Sequence, residues 1–333
     1  MKALRVRKEI AEEVRRKVER LGLKDRSRRI RFEDGYVIIP VVDGFDLEIE
    51  GAEVVEDANP VFRERRNFRE IVESIAGHYP RYADLKLFGR VGVMKLPGEL
   101  MGYRDRIAEE VVRHYGLKAL WLDRGRHGML RKPEMEPLFG DESMVEHREN
   151  GCVFRFDLTK VMYSQGNQYE KMRVARLVGD GEVVLDMFAG IGYFTIPVAK
   201  HSRARRVYAV EINPDSYFFL LENVRLNGVR NVVPILGDSM HVIPESFADR
   251  VIMGHIYAEQ FLQNAISALR DEGWVHYHEA VPVRVLERPV ERVRRAAERM
   301  GARVIEIGMR KVKNYAPNVL HVVVDARIKR LSK

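Results

Sequence analysis

One stretch leaves the surrounding chain little freedom in how it folds: Val183-Val184-Leu185-Asp186-Met187-Phe188-Ala189-Gly190-Ile191-Gly192-Tyr193-Phe194-Thr195. An apolar run closes on an acid, a glycine turn follows, and a helix-forming run begins, so the stretch reads as strand, turn and helix. Gly190 and Gly192 allow the backbone to approach a ligand at the carboxyl edge of a sheet. From about residue 151 onward, strand and helix signals alternate as in an open α/β sheet. Parallel strands are expected at Glu182–Met187, Arg206–Glu211, Val232–Leu236, Arg250–Met253 and Trp274–Glu279, with helices over Tyr193–Lys200, Pro214–Leu226, Ala258–Arg270 and Arg288–Met300. Asn227-Gly228 supplies a helix stop. The last two β runs, Arg303–Val312 and Asn318–Arg327, are joined by only Lys313-Asn314-Tyr315-Ala316-Pro317. That link is too short for a crossover helix, so the two runs form an antiparallel hairpin.

A mostly parallel, Rossmann-like sheet finished by a hairpin is the arrangement of class I S-adenosylmethionine (SAM)-dependent methyltransferases. The second strand ends in Glu211, nineteen residues beyond Gly192, where a carboxylate accepts both hydroxyls of a ribose. Gly237-Asp238-Ser239 follows the third strand, placed to meet an adenine amine. A nicotinamide site competes with this reading, but Gly190-Ile191-Gly192-Tyr193-Phe194 lacks the third glycine that a pyrophosphate requires. The cofactor-binding set expected here is Asp186, Phe188, Gly190, Gly192, Glu211, Asp238 and Ser239, with SAM as the ligand.

The remainder of the chain divides into smaller α+β pieces. Residues 1–22 have Leu4, Ile10, Val14, Val18 and Leu21 roughly on one face and read as a basic amphipathic helix. Tyr36–Val41 reads as a strand, which Pro40 assigns to an edge or an early end. Residues 1–60 form a small module whose basic helix is able to touch an anionic partner. Residues 61–150 form a second α+β domain, with helices over Phe68–Ala76 and Tyr103–Tyr115 and strands at Val91–Leu96 and Ala119–Asp123. Arg124–Pro133 is glycine-broken and basic and reads as a loop, with Arg126, Arg131 and Lys132 as phosphate contacts. Residues 151–333 carry the catalytic sheet.

The net charge of +8 suits an anionic partner such as nucleic acid, although charged residues of both signs make up 32% of the chain. No uninterrupted apolar run is long enough to span a membrane. The N-terminus is too charged for a signal peptide. A cytoplasmic, monomeric protein is expected. The single cysteine, Cys152, excludes an intramolecular disulfide and a multi-cysteine zinc site, and no other spacing suggests a metal.

Residues from about 124 to 327 resemble the tRNA guanine-N1 methyltransferases that act beside the anticodon, and their sister enzymes of the wybutosine pathway. The shared pattern runs through Arg131-Lys132-Pro133, Glu136, Leu138, Gly140, His147 and Gly151. It continues in Phe156–Ser164 and Asp186–Gly192, and closes with Tyr315-Ala316-Pro317 and Leu320–Asp325. Where the methyltransferases have Ser-Pro-Arg, this chain has Ser164-Gln165-Gly166-Asn167, then Glu170-Lys171. Where they have Asn-Leu-Pro after the fourth strand, it has Gly254-His255-Ile256. Both departures resemble the tRNA 4-demethylwyosine aminocarboxypropyltransferases.

The resemblance implies transfer of the 3-amino-3-carboxypropyl group of SAM to the 4-demethylwyosine base 3′ to the anticodon of tRNA-Phe, releasing 5′-methylthioadenosine. It implies Lys171 as partner of the methionine carboxylate, Ser164 as an added hydrogen bond, and Glu170 as a candidate for removing a proton; His255, at a strand end facing the same crevice, is read as either a second candidate or a structural residue. His276-Tyr277-His278-Glu279 reads as structural, since alternation along a strand buries part of it. Guanine-N1 methylation, a non-catalytic RNA-binding protein with this fold, and a nicotinamide oxidoreductase are the alternatives.

Overall fold

The computed structural model describes residues 1–25, 27–62, 66–128, 132–163 and 167–331. They form two compact units, Met1–Glu70 and Ile71–Lys333.

The first unit opens with a strand rather than a helix. β1 (Lys2–Arg7) buries Ala3, Leu4 and Val6, and α1 (Ala11–Arg20) follows. β2 (Arg31–Glu33), β3 (Tyr36–Pro40) and β4 (Ala52–Glu56) complete an antiparallel sheet in the order β2-β3-β1-β4. β3 is thus an interior strand. Pro40 is tolerated because it is the strand's last residue, opposite Ala3. Val14 and Val18 of α1 pack on Leu4, Val6, Ile39 and Phe45. The guanidinium of Arg28 is buried in this unit, donating to Asp25 (2.7 Å), Asp57 (3.2 Å) and the carbonyls of Lys2 (2.8 Å) and Val41 (2.7 Å).

The second unit begins with α2 (Phe68–Ala76), whose first turn lies in the first unit. β5 (Asp84–Phe88), β6 (Val91–Lys95), α3 (Arg104–Tyr115), β7 (Ala119–His127) and β8 (Lys132–Phe139) build a four-stranded sheet in sequence order. The segment expected as a basic loop is therefore largely strand: β7 runs through Arg124 and Arg126 to His127 and pairs with β8. Arg131 lies outside the described residues. Gly140, at φ +60°, ends β8, and a Cβ there would stand 2.2 Å from the Lys118 carbonyl oxygen. β9 (Met144–Glu149) and β10 (Cys152–Asp157) form a hairpin closed by Asn150-Gly151, both at positive φ, which is the two-residue type I′ connection.

After α4 (Gln168–Leu177) comes the main sheet: β11 (Val183–Asp186), α5 (Thr195–His201), β12 (Arg206–Glu211), α6 (Pro214–Leu226), β13 (Val232–Leu236) and β14 (Ala248–Met253). α7 (Leu262–Ala268), β15 (Leu269–Pro282), α8 (Arg288–Arg299), β16 (Ala302–Ala316) and β17 (Val319–Arg330) follow. The order is β13-β12-β11-β14-β15-β17-β16, with the first five strands parallel and the hairpin antiparallel. This is the expected class I SAM-dependent methyltransferase sheet. The hairpin strands extend through the expected linker, leaving only Pro317-Asn318 to turn the chain.

α7 and α8 cover one face of the sheet, while α4 and α5 pack on the other. One apolar core joins Phe88, Val91 and Trp121 of the four-stranded sheet to Phe154 and Phe156 of the β9–β10 hairpin and to Ile191, Ile196 and Phe219 beside the glycine turn. The boundary expected at residue 150 is therefore bridged by apolar packing within one unit.

Arg28→Ala should destabilise the first unit by about 1–3 kcal/mol, because the carbonyls of Lys2 and Val41 lose their donor while Arg31 keeps its bonds to Asp57 (2.9 and 3.2 Å). Amide exchange checks it: protection at Leu4 and Ile39 should fall, while protection at Val184 and Leu185 holds. Unchanged exchange at Leu4 would remove Arg28 from the core of this unit.

Candidate active site

The order of the sheet reverses between β11 and β14, and open α/β sheets take ligands at such a point. β11 delivers Asp186 there, fully buried. Its carboxylate accepts the Thr195 hydroxyl (2.7 Å) and the Phe188 N–H (3.3 Å), so it ties the strand end to the start of α5. Burial pushes its carboxyl up to about 6. Gly190 (φ +57°) and Gly192 (φ +103°) form the turn in the left-handed region. A Cβ at Gly190 would meet the Tyr193 ring at 2.4 Å, and one at Gly192 would meet Ile196 at 2.6 Å.

Glu211 reaches back from β12 into this turn. Its carboxylate accepts the Gly190 N–H (2.7 Å) and the Asn213 N–H (2.8 Å), and burial raises its pKa against those bonds. Each oxygen keeps a second lone pair with which to accept a ligand hydroxyl. The Gly237 N–H bonds the Glu211 carbonyl (2.9 Å), which brings the loop after β13 alongside. Half-buried Asp238 accepts the Met240 N–H (2.8 Å). Ser239 is buried and donates its hydroxyl to the Met187 carbonyl, holding the end of β11. Asp186 and Ser239 therefore shape the cradle, with Glu211 and half-buried Asp238 beside them.

The other wall is aromatic. The Phe188 ring lies 5.5 Å from His255 and 5.0 Å from Phe261, and His255 lies 5.6 Å from Tyr257. Gly254 lets the chain after β14 pass over Phe194, since a Cβ there would stand 2.7 Å from that ring.

α4 sets Glu170 and Lys171 against different neighbours. Glu170, buried, accepts two bonds from Arg173 (2.8 and 2.6 Å), and the same guanidinium donates twice to Asp325 (both 2.9 Å). Asp325 lies 2.5 Å from His276 Nδ1, and His276 Nε2 lies 2.7 Å from Arg250, which donates in turn to Glu182 (2.7 and 3.0 Å). An arginine only donates, so His276 Nε2 accepts and Nδ1 carries the hydrogen given to Asp325. Burial lowers the His276 pKa, in keeping with a neutral ring. His278, fully buried, meets His321 (2.9 Å), and its pKa is pushed far down by burial and by the two neighbouring imidazoles. All four residues of this run are buried, where only part of it was expected to be, because both faces of the strand are covered: His276 and His278 face this network, while Tyr277 and Glu279 bond each other on the α8 side.

Lys171 is neither a surface lysine nor open to the crevice. Its ammonium lies 2.5 Å from Glu149 Oε1, both side chains 2% exposed, with the rings of Phe154, Tyr163 and Tyr193 5.1–5.5 Å away. Burial lowers its pKa against the pull of Glu149. Tyr193 is the ring that packs on Gly190, so Lys171 supports the glycine turn from beneath. Glu149 was not anticipated from the sequence, although the Asn150-Gly151 turn that aims it inward was readable there. Ser164, Gln165 and Gly166 lie outside the described residues. Among the described residues no cluster of His, Cys, Asp and Glu could hold a metal.

Residues 145–305 match the model of the TRM5/TYW2 methyltransferase domain, and residues 3–49 match the tRNA methyltransferase 5 N-terminal domain. A tRNA(Phe) (4-demethylwyosine(37)-C(7)) aminocarboxypropyltransferase of Methanocaldococcus jannaschii is 46% identical over 225 residues, 67% of this chain and 90% of that protein. The chain belongs to the TRM5/TYW2 family. Its fold matches the crystal structure of M. jannaschii TYW2 in complex with AdoMet (39% identity, TM-score 0.62, covering 74% of this chain and all of that one). It also matches wild-type Trm5b of Pyrococcus abyssi (36% identity, TM-score 0.71, covering 99% of each chain).

A carboxyl that titrates at about 6 in the fold and near 4 when unfolded holds its proton longer in the native state. Its contribution to stability is whole below pH 4 and is lost as pH rises through 6. Against Asp186→Asn, the wild type should therefore lose on the order of 2–3 kcal/mol between pH 4 and 7. Urea titrations of both proteins across that range check it, and parallel pH profiles would refute the assignment.

Proposed function

We propose that this protein transfers the 3-amino-3-carboxypropyl group of S-adenosylmethionine to the 4-demethylwyosine base of tRNA-Phe, 3′ to the anticodon, releasing 5′-methylthioadenosine. The observation that carries the reading is the 46% identity with an enzyme of that name over 67% of the chain. Gly166-Asn167 and Gly254-His255 support it, since there the sequence departs from the methyltransferases.

The residues of the crevice fit such a donor. Glu211 accepts the ribose hydroxyls, the Gly190–Gly192 turn lets the backbone close on the nucleoside, and Asp238 meets the adenine. When bound, SAM supplies a sulfonium leaving group whose C–S bond breaks as the base carbon attacks in line. Phe188 and His255 flank that line and exclude water. Both Glu170 oxygens are engaged by Arg173, so half-buried His255 is the better placed of the two to take the proton that the base carbon loses. Glu170 holds Arg173 and the start of α4. Lys171 acts through Tyr193 rather than on the methionine carboxylate, and Ser164 remains a donor for that carboxylate.

Residues 61–150 and the 1–60 module supply the grip on tRNA, with Lys132 exposed on β8; Arg126 is paired with Asp123 (3.0 Å). The reading takes the protein as a cytoplasmic monomer. Among the described residues no helix is long and apolar enough to cross a membrane.

Guanine-N1 methylation of tRNA is the second reading. It draws on the likeness to Trm5b, which spans 99% of the chain, whereas the TYW2 likeness spans 74%.

Two SAM samples, labelled in the methyl group or in the carboxypropyl chain, decide between the readings on tRNA-Phe carrying 4-demethylwyosine. Chain label in the tRNA with methylthioadenosine released is expected; methyl label with S-adenosylhomocysteine would install the second reading.

Lys171→Met should cost about 3–5 kcal/mol by leaving Glu149 buried without its cation. Adding Glu149→Gln should restore both stability and SAM affinity. Stability regained without affinity would return Lys171 to the methionine carboxylate.

A further inference from the structure

The opposite face of the sheet holds a feature that the transfer reaction does not use. Between the segment leading into α7 and the length of α8 runs an open groove of about 760 Å³, within the range of ligand sites. Its buried lining combines Ile256, Leu262 and Ala296 with Tyr277 and Glu279. One wall is cationic: Arg288, Arg292, Arg295 and Arg299 recur along a single helical stripe of α8. The other wall carries Tyr257, 61% exposed, with the exposed amides of Gln260 and Gln263.

The arginines divide into two kinds. Arg288 and Arg292 are bound by carboxylates, both donating to buried Glu279 (2.8 and 2.7 Å), with Arg292 also reaching Glu259 (2.7 Å). Arg295 and Arg299 are exposed and have no carboxylate partner among the described residues. They lie about 6 Å apart along the helix axis, close to the phosphate-to-phosphate step of an extended strand. The groove also joins the crevice. Phe188 at the glycine turn touches His255, His255 touches Tyr257, and Tyr257 lines the groove.

Resting on the tRNA reading above, we propose that this groove holds the single-stranded ribose-phosphate backbone beside the target nucleotide. Arg295 and Arg299 take successive phosphates, Tyr257 stacks on the neighbouring base, and Gln260 and Gln263 bond its edge or its ribose. An acidic peptide would satisfy the arginines but would have no use for a stacking ring continuous with the base site. Arg288 and Arg292, held by Glu279, shape the wall.

The test compares the full-length wild type with Arg295→Glu/Arg299→Glu and with Arg294→Glu, an exposed arginine of α8 outside the groove. Each is assayed for chain-label transfer to 4-demethylwyosine tRNA-Phe across a salt series, and for SAM binding without RNA. The double variant should raise KM for tRNA about tenfold or more and lower the salt slope by about 1.4, two phosphates at ~0.7 each. SAM affinity should stay within about twofold, and Arg294→Glu should change KM far less. Should the double reversal unfold the protein, Arg295→Gln/Arg299→Gln replaces it, with the same fall in slope expected. An unchanged KM and slope, or an equal loss in Arg294→Glu, would overturn the groove while leaving the transfer reaction intact. A wild type that binds this tRNA but moves no chain label would overturn the reaction, and the slope of its binding would still test the groove.

Discussion

Arg173 is the point on which the catalytic half of this protein turns. Two carboxylates from distant parts of the chain, Glu170 and Asp325, close on one guanidinium. From there the path runs through the neutral His276 ring and the Arg250 guanidinium to Glu182. The path starts on α4, crosses β17, β15 and β14, and stops just before β11. Each buried ion in it would be costly alone, and each is offset by partners of fixed geometry. Burial alone would raise the Asp325 pKa, but the bonds from His276 and Arg173 outweigh it and drive the pKa far down. Asp325 thus stays ionised below the usual carboxylate range, and its bonds to Arg173 pin α4 to the sheet.

Pinning α4 matters because its two adjacent side chains serve two substructures. Glu170 belongs to the charge path, whereas Lys171 enters the β9–β10 hairpin and supports Tyr193 under the glycine turn. On the far side of that turn, Glu211 accepts the Gly190 N–H. The turn is therefore gripped from both sides before any ligand arrives. Preorganisation of this kind lets binding orient a reacting carbon rather than order a loop.

The sheet itself was legible because its signals were local. β12, α6 and β13 fall on the residues that the pattern predicts, with Asn227-Gly228 stopping α6 as read. The opening strand was not, since Leu4 and the apolar residues after it fit a helical stripe as well as a six-residue strand. Nor was the environment of Lys171. A helical pattern tells which face a residue occupies, but not that a hairpin with its turn at Asn150-Gly151 folds over that face. The histidines make the same point: alternation splits His276 from Tyr277, yet their partners lie 49 and 43 residues away along the chain, on β17. Glycine, strand-end acid and turn carry their meaning in the sequence; long-range ion pairs do not.

The order β15-β17-β16 places β17, which follows both of its neighbours in sequence, in the interior of the sheet. During synthesis β15 and β16 emerge first and leave between them a gap that no other strand among the described residues fills. Only the arrival of β17 brings Val322, Val323 and Val324 into the core and Asp325 to its arginine and histidine. The five parallel strands can collapse earlier, but the charge path cannot close, so α4 lacks its final anchor. Emergence of β17, rather than completion of the glycine turn, is therefore the event that closes this sheet, and a chain stalled within β17 would expose two unpaired strand edges to chaperones and proteases.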